Sequence, residues 1–266
     1  MNSPLNSNRP EDGTLPLHKV KKAMTYYLVD GSEDCFFTAV FDAFKDRDCI
    51  ITSESDLQIG LGCEFTEVVC DGQKAERVKN KLNALDKHCL EDIALLLRSC
   101  ECLKEQTAFD YIKLIVEKKR AVRDMLAIPT VMEMTNIRQK VTYEIHRMHG
   151  FLRFIENSEG VLYAPYSPDN DITDLLAPHF ARRFANQRFV IHDIKRKKAA
   201  LFDGDEIVMF DADGAEIYLS EYQQHFEELW RQYYKSVNIE SRPHEKQMKG
   251  YMPVRYWKFL PEKRKK

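Results

Sequence analysis

The sequence predicts an α+β fold, in which a helix-rich N-terminal half packs with a C-terminal antiparallel sheet of about five strands and flanking helices. Before Gly150, apolar residues recur at steps of three and four, which is the spacing of one face of a helix. After Gly150, most apolar runs are short, β-prone and separated by turn residues. A chain of 266 residues with 44% hydrophobic residues can bury a large core, which excludes a disordered or fibrous protein.

The sequence predicts a flexible N-terminal leader followed by a single domain. Residues 1–24 are polar and contain three prolines, so we expect a flexible leader there. Residues 25–266 are expected to form a single domain, helix-rich over 25–150 and made of the sheet and helices over 151–266.

The N-terminal half should begin with a strand at Tyr26–Val29, followed by a helix that Ser32 can cap. One or two strands are expected between residues 48 and 69. The helical spacing then resumes after Asp71 and predicts three helices, with breaks near Asp86 and Cys102.

The C-terminal half begins after the most regular helix, which we expect to end at Gly150. The remaining elements are predicted in this order: a hairpin of Phe151–Ile155 with Val161–Ala164, a helix over Thr173–Phe184, a three-stranded meander over residues 189–210, a helix from Ser220, and a docked, largely irregular tail over residues 242–262.

Several functional classes are excluded by missing patterns. The sequence contains no phosphate-binding loop, dinucleotide fingerprint, hydrolase elbow or metalloprotease motif, and no zinc-ribbon spacing, so we expect no metal and no cofactor. No uncharged apolar run approaches the ~20 residues of a membrane helix. Seven cysteines without a CxxC pair favour reduced thiols that pack as small apolar residues in a cytoplasmic protein.

The net charge of −2 hides a segregation of charge along the chain. Residues 201–241 contain ten acidic and two basic side chains, a net charge of −8. Residues 242–266 contain nine basic and two acidic side chains, a net charge of +7. The near-neutral total therefore does not exclude a polyanionic partner such as DNA.

The histidines are the candidate acid–base groups. His146 and His149 lie three residues apart on one side of the regular helix, and His179 lies near Arg182 and Arg183 on the next helix. Imidazole suits proton transfer near neutral pH, and two histidines on one face can also hold a phosphate or a metal. The alternative is that these histidines are solvated or satisfied within the core.

Several arginines and lysines are candidate phosphate ligands. Alternation along the predicted strand places Arg153 beside apolar residues, which indicates either an anion pocket or a buried pair with an acid such as Glu144 or Asp193. A second group could track a phosphate backbone or could simply be a solvated charge run. It comprises Arg182 and Arg183 together with the run that contains Arg196 and Lys197.

The tail interleaves aromatic and basic residues, among them Tyr256 and Trp257. Aromatic side chains in such a pattern can stack on exposed bases. In a segment bounded by prolines they more often anchor the chain to the core, and we favour that interpretation here.

Five stretches resemble a known bacterial family, the probable DNA metabolism proteins of domain-of-unknown-function family 4130. They are Tyr27–Phe41, Val141–Phe154, Ala177–Phe184, Val190–Arg196 and Trp230–Glu262. Their order and spacing extend over nearly the whole chain after the leader.

The resemblance implies an association with a radical SAM protein assigned to DNA repair, and some family members are fused to a uracil-DNA glycosylase domain. This chain contains neither that domain nor the CxxxCxxC cluster motif of a radical SAM enzyme, so such chemistry would belong to a partner. Family members often carry asparagine where this chain has His244. The resemblance implies roles for His146, Arg153, His179, Arg183, Asp193, Arg196 and Arg242.

Three functional hypotheses follow. The first is a nucleic-acid-binding accessory in DNA repair or base modification, with DNA and the radical SAM protein as partners. The second is an enzyme that acts on a nucleotide or DNA end, with His146 or His179 as general acid or base and arginines that hold phosphate. The third is a structural adaptor that docks through the acidic surface of residues 201–241.

Overall fold

The computed structural model describes residues 24–46, 48–54, 63–156, 160–212, 249–260 and 263. The predictions for the leader up to residue 23, for the helix from Ser220 and for Arg242 concern residues outside this described part.

The architecture is α+β, as predicted, with two sheets, six α-helices and a 3₁₀ helix assigned in the described residues. The N-terminal elements are β1 (Thr25–Leu28), α1 (Glu33–Ala43), β2 (Cys49–Thr52), β3 (Glu64–Glu67), α2 (Gly72–Leu85), α3 (Cys89–Leu97) and α4 (Lys104–Lys118). The C-terminal elements are α5 (Pro129–Phe151), β4 (Ile155–Glu156), β5 (Leu162–Tyr166), α6 (Thr173–Arg183), β6 (Phe189–Asp193), β7 (Lys198–Phe202), β8 (Ile207–Asp211) and a 3₁₀ helix (Val254–Phe259).

The N-terminal half contains a small parallel sheet in the order β2-β1-β3. Thr25 of the central strand pairs with Cys49 on one side and with Glu64 on the other. Parallel neighbours need a crossover connection, and α1 supplies it between β1 and β2. The sequence predicted these strands but not their common sheet.

Two helices of this half, α1 and α2, begin at side-chain caps. The Ser32 side chain accepts a hydrogen bond from the backbone of Cys35 at 3.3 Å, and Asp71 accepts from Gln73 and Lys74 at the start of α2. The breaks near Asp86 and Cys102 separate α2, α3 and α4 as predicted.

One cysteine pair contradicts the prediction of reduced, apolar thiols. Cys35 in the first turn of α1 forms a disulfide with Cys70, which precedes α2, and their Cα atoms are 4.5 Å apart. The two helix starts are also joined by Thr38, whose hydroxyl donates to the Asp71 carbonyl at 3.1 Å. The pair was missed because 35 residues of sequence separate its members and spacing alone does not give connectivity.

The five remaining cysteines in the described residues differ in burial, and Cys63 is half-buried. Cys49 and Cys89 are buried, as expected of small apolar side chains. Cys100 and Cys102 are exposed, which corrects the prediction that they pack in the core.

The C-terminal sheet has the predicted five strands, in the order β4-β5-β6-β7-β8. The meander of β6, β7 and β8 is antiparallel as predicted, and so is the β4–β5 hairpin. The sheet as a whole is mixed, because β5 and β6 run parallel with α6 as their crossover.

The regular helix α5 extends one residue past Gly150 to Phe151, and the Leu152 amide still donates to the Met148 carbonyl at 3.1 Å. The predicted strand over Phe151–Ile155 therefore shrinks to β4. Arg153 lies in the connection between helix and strand, so the alternation argument made for it was wrong.

Helix α5 contributes to two hydrophobic clusters. Val131, Met134 and Ile137 pack with the N-terminal elements, whereas Val141 and Met148 pack with the C-terminal sheet and α6. The end of α5 is consequently held firmly against α6. Among the described residues, no helix combines the length and the apolar character needed to cross a bilayer.

Candidate anion-binding site

Two histidine rings stack where α5 and α6 meet. The ring centroids of His149 and His179 are 4.0 Å apart with an interplanar angle of 17°. Phe180 supports both rings edge-on, at 6.3 Å from His149 and 5.0 Å from His179, and Phe154 packs on Phe180. The buried aromatic residues of the second hydrophobic cluster therefore fix the position of the histidine pair.

The surroundings of His149 favour its neutral form. Burial lowers the pKa of His149, and the positive charges of His179, His146 and Arg182 lower it further. Its buried Nε2 atom has no hydrogen-bond partner among the described residues. The side chain thus holds a buried imidazole nitrogen that no described residue hydrogen-bonds.

Two arginines at the last turn of α6 lie close to His179 in sequence and add positive charge to this end of the helix. Arg182 and Arg183 are exposed, and the guanidinium of Arg183 lies 5.7 Å from the centre of the Phe184 ring. Within the described ranges, neither arginine forms an ion pair with a carboxylate. The C-terminal end of a helix carries partial negative charge, which accommodates these cations without an acidic side chain.

Of the predicted site residues, His179 stacks directly on His149, and His146 and Arg182 lower the pKa of His149 through their charge. His146 is exposed and His179 is half-buried. The sequence had paired His149 with His146 as a possible phosphate or metal holder. Its stacking on His179 depends on how α5 packs against α6, which residue spacing does not reveal.

Arg153 has a different environment. Its Nη1 atom donates to the Gly150 carbonyl at 2.7 Å, at the end of α5. It lines a small cavity with Tyr166, Tyr256 and Leu260. The two acids considered as its partners, Glu144 and Asp193, have donors of their own.

Asp193 and Arg196 form a structural clamp. Asp193 is fully buried and accepts from the backbones of Lys195 and Arg196 and from Arg196 Nη1 at 2.9 Å. The Arg196 guanidinium also donates to the carbonyls of Pro168 and Asp169. The geometry therefore gives Arg196 a role in joining the β6–β7 turn to the loop before α6.

Lys197 lies in the same turn, with an exposed side chain, a φ of 53° and a carbonyl that accepts from Ala212 at 2.7 Å. This turn is next to the N-terminal end of α6, where Lys198 pairs with Asp171 at 3.1 Å. Arg182 lies near the other end of α6, which is about 16 Å long at 1.5 Å per residue. The two predicted basic groups thus occupy opposite ends of the helix.

The tail is docked to the core through Tyr256. Its hydroxyl donates to the carboxylate of Glu144, and the ring is 3% exposed. Burial and the Glu144 carboxylate both raise the pKa of Tyr256. Trp257 Nε1 donates to the Met252 carbonyl at 3.0 Å within the tail. Tyr256 therefore anchors the tail, which agrees with the favoured interpretation of this segment.

Glu144 is the centre of this buried polar network. One carboxylate oxygen accepts from the Asp169 amide at 2.9 Å and from Tyr256, and the other accepts from the amide and side chain of Asn170 at 2.8 and 2.6 Å. Arg255 adds an ion pair with Asp169 at 2.6 Å. Four donors around one carboxylate hold α5, the loop before α6 and the tail together.

A second buried histidine was not singled out from the sequence. His192 of β6 is 2% exposed, and its Nδ1 lies 2.7 Å from the hydroxyl of Tyr163 on β5. Spacing gave no signal for it, because the contact depends on the parallel pairing of β5 with β6.

One group in the described part of the chain has the clustering of a metal site, formed by Asp30, Cys35 and Cys70. Its two sulfur atoms are joined to each other in the disulfide, so they offer no thiolate to a metal ion.

Comparison with known proteins places these features within a family. A family model described as a domain of unknown function, DUF4130, matches residues 103–262. This range includes α5, α6, the whole five-stranded sheet and the 3₁₀ helix. No curated protein and no solved structure matches the chain.

Proposed function

The chain belongs to the DUF4130 family, and from this premise we propose that it is a nucleic-acid-binding accessory protein of DNA metabolism. The α5–α6 junction would hold the phosphate backbone. The observation that supports this most directly is a concentration of cationic and imidazole groups without a carboxylate among the described residues, formed by His146, His149, His179, Arg182 and Arg183.

The chemistry of these side chains suits a phosphate backbone. Arginine forks donate two hydrogen bonds to phosphate oxygens, and a protonated imidazole donates one more. An incoming polyanion also counteracts the positive charges that lower the pKa of His149. Binding should therefore strengthen as the pH falls through the histidine range.

The partners in this proposal are DNA in the cytoplasm and, through the family resemblance, a radical SAM protein that carries out the repair or modification chemistry. In this proposal the DNA contact is at α5–α6 and the partner carries out the catalytic step.

The test is fluorescence anisotropy with labelled single- and double-stranded DNA over a range of salt concentrations. The double variant Arg182→Ala with Arg183→Ala should weaken binding at least tenfold and reduce the slope of log K against log salt by about two. Lys87→Ala with Arg120→Ala removes the same charge from the N-terminal half and should change binding less than twofold. The proposal fails if the wild type does not bind DNA at low salt, or if both variants lose affinity equally.

A second candidate function is catalysis on a nucleotide or DNA end, which the stacking of His149 on His179 and its lowered pKa favour. A neutral imidazole next to a second histidine can exchange a proton with a substrate near neutral pH. The measurement is conversion of end-labelled DNA and nucleotides by the wild type. His149→Gln should abolish conversion and weaken DNA binding far less than Arg182→Ala with Arg183→Ala does, if this candidate is correct.

A further inference from the structure

A groove on the N-terminal half offers a second binding surface, far along the chain from the α5–α6 junction. It lies between α1, α2 and α4 and has a volume of about 730 Å³. Seven apolar side chains form most of its lining: Val40, Phe41, Phe44, Val78, Leu82, Ile112 and Val116. Phe44 is 39% exposed in this groove and adds to a contiguous apolar surface.

The polar residues of the groove are mostly basic. Lys45, Arg77 and Lys81 are exposed at its edge, and the Arg77 guanidinium lies 5.0 Å from the centre of the Phe41 ring. The single acid among the lining residues, Asp42, is bound by Lys74 at 2.7 Å. Within the described part of the chain, no carboxylate forms an ion pair with the three basic residues at the edge.

This combination selects a particular kind of ligand. The apolar floor favours binding of apolar side chains that would otherwise face water, and the surrounding cations attract carboxylates. Amphipathic helices bind helix-lined grooves through apolar anchors at positions i, i+3 or i+4, and i+7, and their polar residues meet the groove edges. A nucleic acid backbone would leave the apolar floor uncovered.

We propose that this groove binds an acidic amphipathic helix of a partner protein. The apolar stripe of that helix contacts Phe41, Phe44 and Val78, and its acidic residues pair with Lys45, Arg77 and Lys81. This interaction is independent of the DNA-binding proposal, because only Ile112 and Val116 of the groove fall within the family match.

The test uses a labelled synthetic peptide of about four helical turns, with leucines at i, i+3, i+7 and i+10 and glutamates on the flanks. We expect the full-length protein to bind it, and Arg77→Glu with Lys81→Glu to weaken binding at least tenfold. Lys87→Glu with Arg120→Glu makes the same change in net charge outside the groove and should alter binding less than twofold. Because all four side chains are exposed, circular dichroism and Tm should match the wild type.

Two control peptides make the result specific. One has the same composition with its leucines spread around the helix, and the other has lysine in place of glutamate. Comparable binding of either control would overturn the proposal.

Two further measurements address other occupants. The groove would be assigned to an acyl chain if the wild type binds a fluorescent fatty acid and not the peptide, and if Arg77→Glu with Lys81→Glu abolishes the binding of the fatty acid. Self-association in sedimentation that the same variant abolishes, again without peptide binding, would assign it to a second copy. Either outcome would also overturn the proposal.

Discussion

The two ends of α6 are both rich in basic residues and use them in opposite ways. At the N-terminal end, Arg98 makes a bidentate pair with Asp174 at 2.6 and 2.8 Å, and Lys198 pairs with Asp171. At the C-terminal end, Arg182 and Arg183 have no carboxylate partner among the described residues. Counting basic residues in the sequence does not distinguish these two ends.

The difference shows that pairing decides which cations can bind a ligand. A guanidinium held by a carboxylate and backbone carbonyls has used its donors, so it contributes to the structure. A guanidinium at a helix C-terminus without an acid keeps its donors for another molecule. Four predictions test this contrast, beginning with the largest expected effect.

The largest effect is expected for Glu144→Gln at the paired end. The glutamine side chain has only one acceptor oxygen, and its NH₂ group faces N–H or O–H donors that lose their acceptor. The free energy of unfolding should therefore fall by about 3 kcal/mol. Urea denaturation measures this loss. Glu133→Gln on the exposed face of the same helix is the matched control and should change stability by less than about 0.5 kcal/mol. Equal effects would contradict the role given to the network.

Arg98→Ala and Arg182→Ala should have crossed effects. Loss of the bidentate pair, which is about one-third exposed, should lower the free energy of unfolding by about 1 kcal/mol with little change in DNA affinity. Loss of Arg182 should leave stability unchanged and weaken DNA binding several-fold. Denaturation and anisotropy on both variants check the pattern, and parallel losses in both measurements would remove the distinction between the two ends.

A smaller effect is expected for Lys198→Met. Its pair with Asp171 is about one-third exposed, so the free energy of unfolding should fall by about 0.5 kcal/mol. Lys195→Met, in the same turn and exposed, should be neutral. If the two variants are equally stable, the Lys198 pair contributes nothing measurable.

The pH dependence of stability should be the most modest effect. Because the pKa of His149 is lower in the folded protein than its usual value of ~6.5, the unfolded chain binds more protons below that pH. The free energy of unfolding should therefore decrease as the pH falls from ~6.5 towards the folded pKa. Thermal melts between pH 7 and pH 5 measure this, and His149→Gln should show a smaller decrease. An unchanged dependence would mean that His149 is not desolvated.

Local chemistry predicted much of the fold. The cap at Ser32, the return of helical spacing after Asp71 and the apolar spacing of α5 gave the helix positions, because these signals act within a few residues. The parallel pairing of β5 with β6 was missed, since it depends on α6 as a crossover. The end of α5 was also misplaced, because Gly150 is tolerated within a last helical turn.

The candidate site was predicted only in part, because the sequence shows residue types but not which segments meet in the fold. His146, His179 and Arg182 were identified by residue type, and the structure places them around His149. Arg196 also looked like a phosphate ligand in sequence. Its carbonyl and Asp193 partners come from segments that meet only in the folded chain, so pairing could not be deduced from spacing.

The Glu144–Tyr256 hydrogen bond also constrains the time course of folding during synthesis. The two residues are 112 positions apart, which at about 5–20 residues per second separates their translation by roughly 6–20 s. Asp169 and Asn170 are made within the first few seconds of that interval and supply three of the four donors. The nascent chain can therefore assemble α5 with the loop before α6 early, and the tail completes the network last.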